Sequence, residues 1–343
     1  MTSAAGGAAR RTFRAGLVLG AGAGAAAGVL SAAAGTALLW VRRDLAGRSD
    51  PDAGHLELPP ADATSVVATH DGGELLVRSW GHGCPIVLVH GVALTSRVWA
   101  KQAAFLPRAG LRVVAYDQRG HGGSRAGSAG FTVAEFGRDL ATVLEHLDLR
   151  DAVVVGHSMG GIVAQELLVE HAAVVRERVS GVVLLSTTVQ PLLGFTRRVR
   201  LATRRVVPAF DPAMVMAHRS VGTALARIGF GRAPRASDVE LTRRMLAGCD
   251  PVTSSEATRA IFGFDASTML GEVAVPALVV VGTHDVITPP RDAHRLVAAL
   301  PGARLEVIEG GGHMLMLEHT QLLDDLLIEF ARSALPGRKG NND

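Results

Sequence analysis

Lysine is nearly missing from this sequence: it occurs only at positions 101 and 339, so arginine carries almost all of the positive charge. Acidic residues almost balance it, Lys+Arg 35 against Asp+Glu 32, for a formal charge of +3. The arginines are scattered through helical stretches and aromatic residues make up only 4%, so there is no basic, aromatic-interleaved stripe that could track a nucleic acid. Cysteine is equally scarce. Cys84 and Cys249 stand far apart, without CxxC spacing or a histidine cluster, which excludes a zinc site and a disulfide framework. They read as ordinary buried thiols, with one bridge between them open as an alternative if the domain is exported. The glycines at 20, 22 and 24 are not a dinucleotide fingerprint, because no strand precedes them and the spacing fails at Ala25. No metal or cofactor is therefore expected. What is present is apolar mass: 48% of 343 residues, enough for one α/β domain of roughly 250 residues plus extra segments.

The first of those extras is N-terminal. From Ala15 to Val41 no residue is charged; Arg10, Arg11 and Arg14 precede the run and Arg42 and Arg43 close it. As a helix it is long enough to cross a hydrocarbon core of roughly 30 Å, although Ala and Gly make it only mildly apolar. Arg10-Arg11-Thr12-Phe13 also matches the start of a twin-arginine export signal, with cleavage near Ala34 to Ala37. Apolar character continues through Leu38-Leu39-Trp40-Val41, with Trp40 where an interfacial aromatic sits, and this favours a retained membrane anchor over a removed signal. A short cationic tail ahead of the span then places the rest of the protein outside the cytoplasm. Gly16, Gly20, Gly24 and Gly28 would form a smooth helical stripe suited to self-association, or they are low-complexity drift.

Residues 44–64 read as a polar linker after the 1–43 tail and anchor, and 336–343 as a polar tail. Between them, β-branched runs alternate with amphipathic stretches: SVVATH, ELLVRSW, PIVLVHG, RVVAYD, AVVVGHS, GVVLLST, ALVVVGTHD and LEVIEG. Eight such runs predict a mostly parallel eight-stranded sheet flanked by helices at 97–108, 132–148, 159–178, 288–300 and 319–334. Asp71-Gly72-Gly73 predicts an antiparallel hairpin of the first two strands at one edge. The interval 190–267 lacks a strand-like run and is broken by Pro208, Pro212, Pro234 and Pro251, which predicts a helical cap inserted between core segments 65–189 and 268–335. Such a cap overhangs the carboxyl edge of the sheet, where sites in open α/β sheets lie.

The strand AVVVGHS runs directly into a helix at Gly156-His157-Ser158-Met159-Gly160. A G-x-S-x-G in that context holds a hydroxyl on a sharp strand-to-helix turn, with a helix amino terminus behind it to stabilise an oxyanion. A serine hydroxyl needs a base, and the base an orienting acid. Asp285 follows the strand ALVVVGTH and His313 follows LEVIEG and three glycines, so nucleophile Ser158, acid Asp285 and base His313 come in chain order from the ends of separate strands. His157 and His284 are expected to be local hydrogen-bonding residues. Glu318 is expected in the first turn of the last helix, offsetting its dipole. The oxyanion donors are predicted to be the Val92 N–H, turned inward by Gly91, and the Met159 N–H.

Together the His90-Gly91 loop, Asp117-Gln118-Arg119-Gly120-His121-Gly122, the Ser158 elbow, Gly282-Thr283-His284-Asp285 and Gly312-His313 resemble the α/β-hydrolase superfamily over residues 65–335. The resemblance implies acyl-enzyme chemistry without cofactor, and a structural rather than catalytic part for Asp117 through Ser124, His121 included. Relatives that open epoxides or remove halides carry Asp at the elbow, so Ser158 speaks against those activities. Carboxylesterases, monoacylglycerol lipases, cofactor-free perhydrolases, acyl-transfer enzymes and carbon–carbon bond hydrolases all keep serine. The expected function is hydrolysis of acyl or lipid esters, with those other serine chemistries as the alternative and a non-catalytic ligand-binding protein behind them. Met214, Met216, Met245, Phe210, Phe230, Phe262 and Phe264 would line an acyl pocket in the cap or simply form its core.

Overall fold

The computed structural model describes residues 56–190 and 212–335, together with positions 35, 39, 41, 43–46 and 48–51. The chain divides into two compact units, Met1–Gly47 and Arg48–Asp343. In the first, the described positions 35, 39, 41 and 43–45 are helical. Among the described residues no helix is long and apolar enough to cross a membrane. The expected anchor or signal, with its Gly16, Gly20, Gly24 and Gly28 stripe, lies almost wholly outside the described residues, as do 191–211 and the 336–343 tail.

The second unit is built on eight strands: β1 (Ala63–Ala68), β2 (Glu74–Trp80), β3 (Cys84–Val89), β4 (Leu111–Tyr116), β5 (Ala152–His157), β6 (Val179–Leu185), β7 (Ala277–Gly282) and β8 (Arg304–Ile308). Their order in the sheet is β1-β2-β4-β3-β5-β6-β7-β8. The sheet is mixed, which corrects the expectation of a mostly parallel one. β2 runs antiparallel to both β1 and β4, while β4-β3-β5-β6-β7-β8 are parallel throughout. The cause is local. Thr69 N–H donates to the Gly73 carbonyl at 3.0 Å and Gly72 adopts φ 81°, a return too short for anything but antiparallel pairing. The parallel strands need helical crossovers, and the Val/Leu runs of β5, β6 and β7 are buried at every position because helices cover both faces.

Those helices are α1 (Ala100–Phe105), α2 (Val133–His146), α3 (Met159–Glu170), α4 (Ala172–Arg178), α9 (Pro290–Ala299), α10 (Leu315–Glu318) and α11 (Thr320–Ala334), with α5 (Pro212–Ala217), α6 (Arg219–Arg227), α7 (Ala236–Gly248) and α8 (Pro251–Phe262) between β6 and β7. The stretch 159–178, read as one helix, is divided at His171, whose ψ of 41° leaves the helical region, and the short α10 stands ahead of the last helix. Capping fixes the starts of two others. Thr132 accepts from Glu135 N–H ahead of α2, and Asp250 accepts from Thr253 N–H ahead of α8, where Pro251 occupies the first helical position. No strand occurs among the described residues of 190–267. Of the apolar side chains expected there, Phe230 and Met245 are buried, Phe264 packs on the core and Phe262 is exposed; the side chains of Phe210 and Met214 lie outside the described residues. Cys84 and Cys249 are both free and only half-buried, so neither is the fully buried thiol expected.

A buried polar cluster gathers around Arg119, in the loop after β4. Arg119 is 0% exposed and grips Asp139 with two hydrogen bonds of 2.7 and 2.8 Å, donates to the Gly130 carbonyl at 2.7 Å, and reaches Asp71 and Glu135 at 3.3 Å. Removing one charge from such a cluster leaves the others in low dielectric without compensation. Arg119→Ala is expected to cost about 3–5 kcal/mol in urea unfolding; a loss like that of a surface ion pair, below about 1 kcal/mol, would show that the carboxylates are satisfied without it.

Candidate active site

Ser158 is the whole of the connection between β5 and α3. Its φ of 54° and ψ of −117° place a residue with a side chain in a region that normally takes glycine. The neighbours explain why the turn can be so tight. A Cβ at Gly156 would run into the Gly160 carbonyl, and one at Gly160 into the Val89 carbonyl, so both flanking positions have room only for hydrogen. Ser158 N–H donates to the Leu185 carbonyl at 3.0 Å, and the Thr187 hydroxyl donates to the Ser158 carbonyl at 2.8 Å, tying the strained residue to β6 and the loop after it. The side chain is half-buried at the carboxyl end of the sheet.

Asp285 and His313 arrive from the loops after β7 and β8. They are 2% and 6% exposed, and His313 Nδ1 lies 2.9 Å from Asp285 Oδ2. Asp285 accepts three further hydrogen bonds, from the Ile287 N–H (2.9 Å), the Thr288 N–H (2.8 Å) and the Thr288 hydroxyl (2.8 Å). Burial pushes this carboxyl up, but His313 and the Thr288 donors outweigh it and hold the group below the ordinary carboxylate range. A carboxylate at Oδ2 fixes the His313 proton on Nδ1 and leaves Nε2 as the basic nitrogen. His157, next to Ser158, donates from Nε2 to the His313 carbonyl at 3.0 Å, and the two rings stand 4.8 Å apart. Asp285 and His313 are thus in direct contact, and His157, the residue before Ser158, is bonded to the His313 backbone; no hydrogen bond joins the Ser158 hydroxyl to His313 among the described residues. Burial, then the proximity of His313, keeps His157 well below the ordinary histidine value, so it is a neutral strut. His284 meets the Thr283 hydroxyl and the Arg232 guanidinium.

Neither the Val92 N–H nor the Met159 N–H has an acceptor among the described residues. A Cβ added to Gly91 would sit 3.2 Å from Ser158 Cβ, which measures how closely the loop after β3 approaches the elbow.

Two participants carried no sequence signal, and a third stands elsewhere than expected. Thr288 and Thr187 are ordinary threonines until the loops fold, and Glu318 departs from its expected place. Glu318 ends α10 instead of opening the last helix. Its carboxylate accepts the Gly231 N–H at 2.6 Å and the Gly312 N–H at 3.1 Å, joining the segment after α6 to the loop that carries His313. His313 and Met314 N–H both donate to the Gly229 carbonyl across the same seam, at 2.9 and 3.2 Å. Burial raises Glu318 to about 7 despite its backbone donors and Arg227. Its folded value lies above the ordinary 4.5, so the folded protein binds more protons than the unfolded chain between those limits. Its contribution to stability is fully present below pH 4.5 and is lost as pH rises through 7, on the order of 3 kcal/mol in all. Urea midpoints at pH 4.5 and pH 8 should therefore fall less for Glu318→Gln than for the wild type; equal falls would mean that this carboxyl does not titrate in that range. Asp324, also raised to about 7 by burial, acts with the same sign in both proteins and cancels from the difference.

A family model of the alpha/beta hydrolase fold matches residues 85–320. A non-heme haloperoxidase of Rhodococcus erythropolis is 31% identical over 279 residues, covering 78% of this chain and 99% of the relative. Among solved structures, a thermophilic esterase from Thermogutta terrifontis is 27% identical with a TM-score of 0.62, covering 79% of this chain and 99% of its own. An esterase from Exiguobacterium antarcticum shares the fold, with a TM-score of 0.69, 21% identity and coverage of 79% and 100%. With its sheet order, the Ser158 turn and a family match across most of its length, the chain belongs to the α/β-hydrolase fold family.

Proposed function

We propose that this protein is a serine hydrolase that cleaves carboxylic esters of acyl or lipid type through an acyl-enzyme intermediate. The observation that carries the reading is the 2.9 Å contact of His313 Nδ1 with buried Asp285, made beside a serine held at φ 54°. His313 Nε2 takes the Ser158 proton as Oγ attacks the carbonyl carbon, and Asp285 stabilises the imidazolium that results. The oxyanion forms between the Val92 and Met159 N–H groups, at the amino terminus of α3. The tetrahedral centre collapses, His313 protonates the departing alcohol, and water repeats the sequence to release the acid and restore Ser158. No cofactor takes part. The esterases among the structural relatives support this substrate class.

A second reading keeps the acyl-enzyme but gives the acyl group to an acceptor other than water. The relative named a non-heme haloperoxidase favours hydrogen peroxide as that acceptor, which would yield a peracid.

The full chain and Ser158→Ala should be treated with a fluorophosphonate, then assayed on p-nitrophenyl esters of increasing chain length. Wild type is expected to label at Ser158 and turn over esters, and Ser158→Ala to do neither, with at least about a thousandfold loss of rate. Labelling without ester turnover, but with peracid formed from a carboxylate and hydrogen peroxide, would select the second reading. Failure to label would sink both and leave a ligand-binding role.

A further inference from the structure

The donor expected to face the oxyanion, the Val92 N–H, sits in a loop whose two neighbouring peptide units are each held by a buried histidine that the catalytic reading leaves unused. His90 is 0% exposed. Its Nε2 lies 3.0 Å from the Gln118 backbone N–H, which can only donate, so Nε2 accepts and the ring proton is on Nδ1. From there it donates at 2.8 Å to the Gly91 carbonyl, which also accepts the Leu94 N–H at a longer 3.3 Å. Gln118 holds the same residue from its side chain, donating to the His90 carbonyl at 2.5 Å. His121, 1% exposed, repeats the pattern one peptide later: Nε2 accepts the Ala93 N–H at 3.2 Å, and Nδ1 donates to the Arg119 carbonyl at 3.0 Å. The two rings pack edge to face with centroids 5.3 Å apart.

The consequence follows from the planarity of the peptide bond. The Gly91 carbonyl and the Val92 N–H belong to one peptide unit, no peptide is cis among the described residues, and in a trans unit the two groups point in opposite directions. Fixing the carbonyl therefore aims the N–H. The next unit contains the Ala93 N–H, and Ala93 adopts φ 56°, a left-handed conformation that an alanine holds only when its surroundings impose it. Burial keeps both rings neutral: His90 is lowered, and His121 is driven down to about 3 by burial with His90 alongside. Each is thus a fixed donor–acceptor piece, not a proton carrier.

We propose that His90 and His121 are positioning residues for the oxyanion donor, His90 through its Nδ1–H on the Gly91 carbonyl and His121 through Nε2 on the Ala93 N–H. The proposal rests on the serine-hydrolase reading above and assigns two residues to the same site.

Asparagine places its amide nitrogen near the Nδ1 position of histidine, and glutamine places its amide group near Nε2. The two positions should therefore respond oppositely. With p-nitrophenyl ester substrates and the full chain, His90→Asn keeps a donor for Gly91 and is expected to hold kcat within about fivefold, whereas His90→Gln loses that donor and drops kcat about 10- to 100-fold. At the other position His121→Gln keeps the acceptor for Ala93 and retains kcat, and His121→Asn loses it. KM should stay within about twofold throughout, and affinity for a boronic acid that mimics the tetrahedral intermediate should fall in step with kcat. Equal effects of Asn and Gln at either position, or losses that follow the unfolded fraction measured by urea titration, would overturn the proposal. Fluorophosphonate labelling of wild-type Ser158 separates the two failures. A wild type that neither labels nor turns over esters removes the underlying reading, whereas an active wild type with an inverted or absent Asn/Gln pattern removes only the role of the histidines.

Discussion

Everything at the candidate site depends on a single-residue turn. Ser158 alone reverses the chain from β5 into α3, in a backbone conformation that costs about 1–3 kcal/mol for a residue with a side chain. That strain persists because the surroundings leave no alternative. β5 is buried along its whole length between β3 and β6, α3 packs on the sheet, and Gly156 and Gly160 bring the two so close that a methyl group at either would strike a carbonyl. The central strands of the sheet are thus the platform that holds one hydroxyl up at the carboxyl edge, and their near-continuous Val/Leu composition is what burial on both faces requires.

Around that point the protein uses buried titratable groups in two ways. Asp285 is ionised in a buried site because three hydrogen bonds and the imidazole stabilise its charge, and this sets the tautomer of His313. His157, His90 and His121 are the opposite case, neutral rings whose two nitrogens have fixed directions in a dry interior. His90 and His121 each act as a rigid spacer with a donor at one end and an acceptor at the other, while His157 is held through Nε2 alone. Glu318 stands between the two cases. It is buried enough to resist ionisation, yet it is joined to two backbone N–H groups that draw the segment after α6 onto the His313 loop.

Much of this was legible in the chain. The eight apolar runs fall on the eight strands, most plainly at β5, β6 and β7, because a strand buried on both faces has no polar positions to obscure it. Ser158, Asp285 and His313 are expected together from their place after three such strands, since chain order and strand ends are local features, and of these the structure shows the contact of Asp285 with His313. The antiparallel edge was half legible. Asp71-Gly72-Gly73 announced the hairpin, but the pairing of β2 with β4 rather than β3 depends on which strand slides between them, and no local signal records that. The break at His171 was invisible because nothing in its composition competes with a helix.

The sequence by itself determined the alternation of strands and helices, the glycine-flanked serine turn and the residues at the strand ends, because these follow from periodicity and from steric rules acting within a few residues. Only the tertiary structure decided which distant groups satisfy one another: Thr288 on Asp285, Thr187 on the Ser158 carbonyl, Gly231 and Gly312 on Glu318, His121 on Ala93. The physical reason is that a buried polar group must find a partner wherever the fold brings one within about 3 Å. That proximity belongs to the packed molecule and not to any stretch of its sequence.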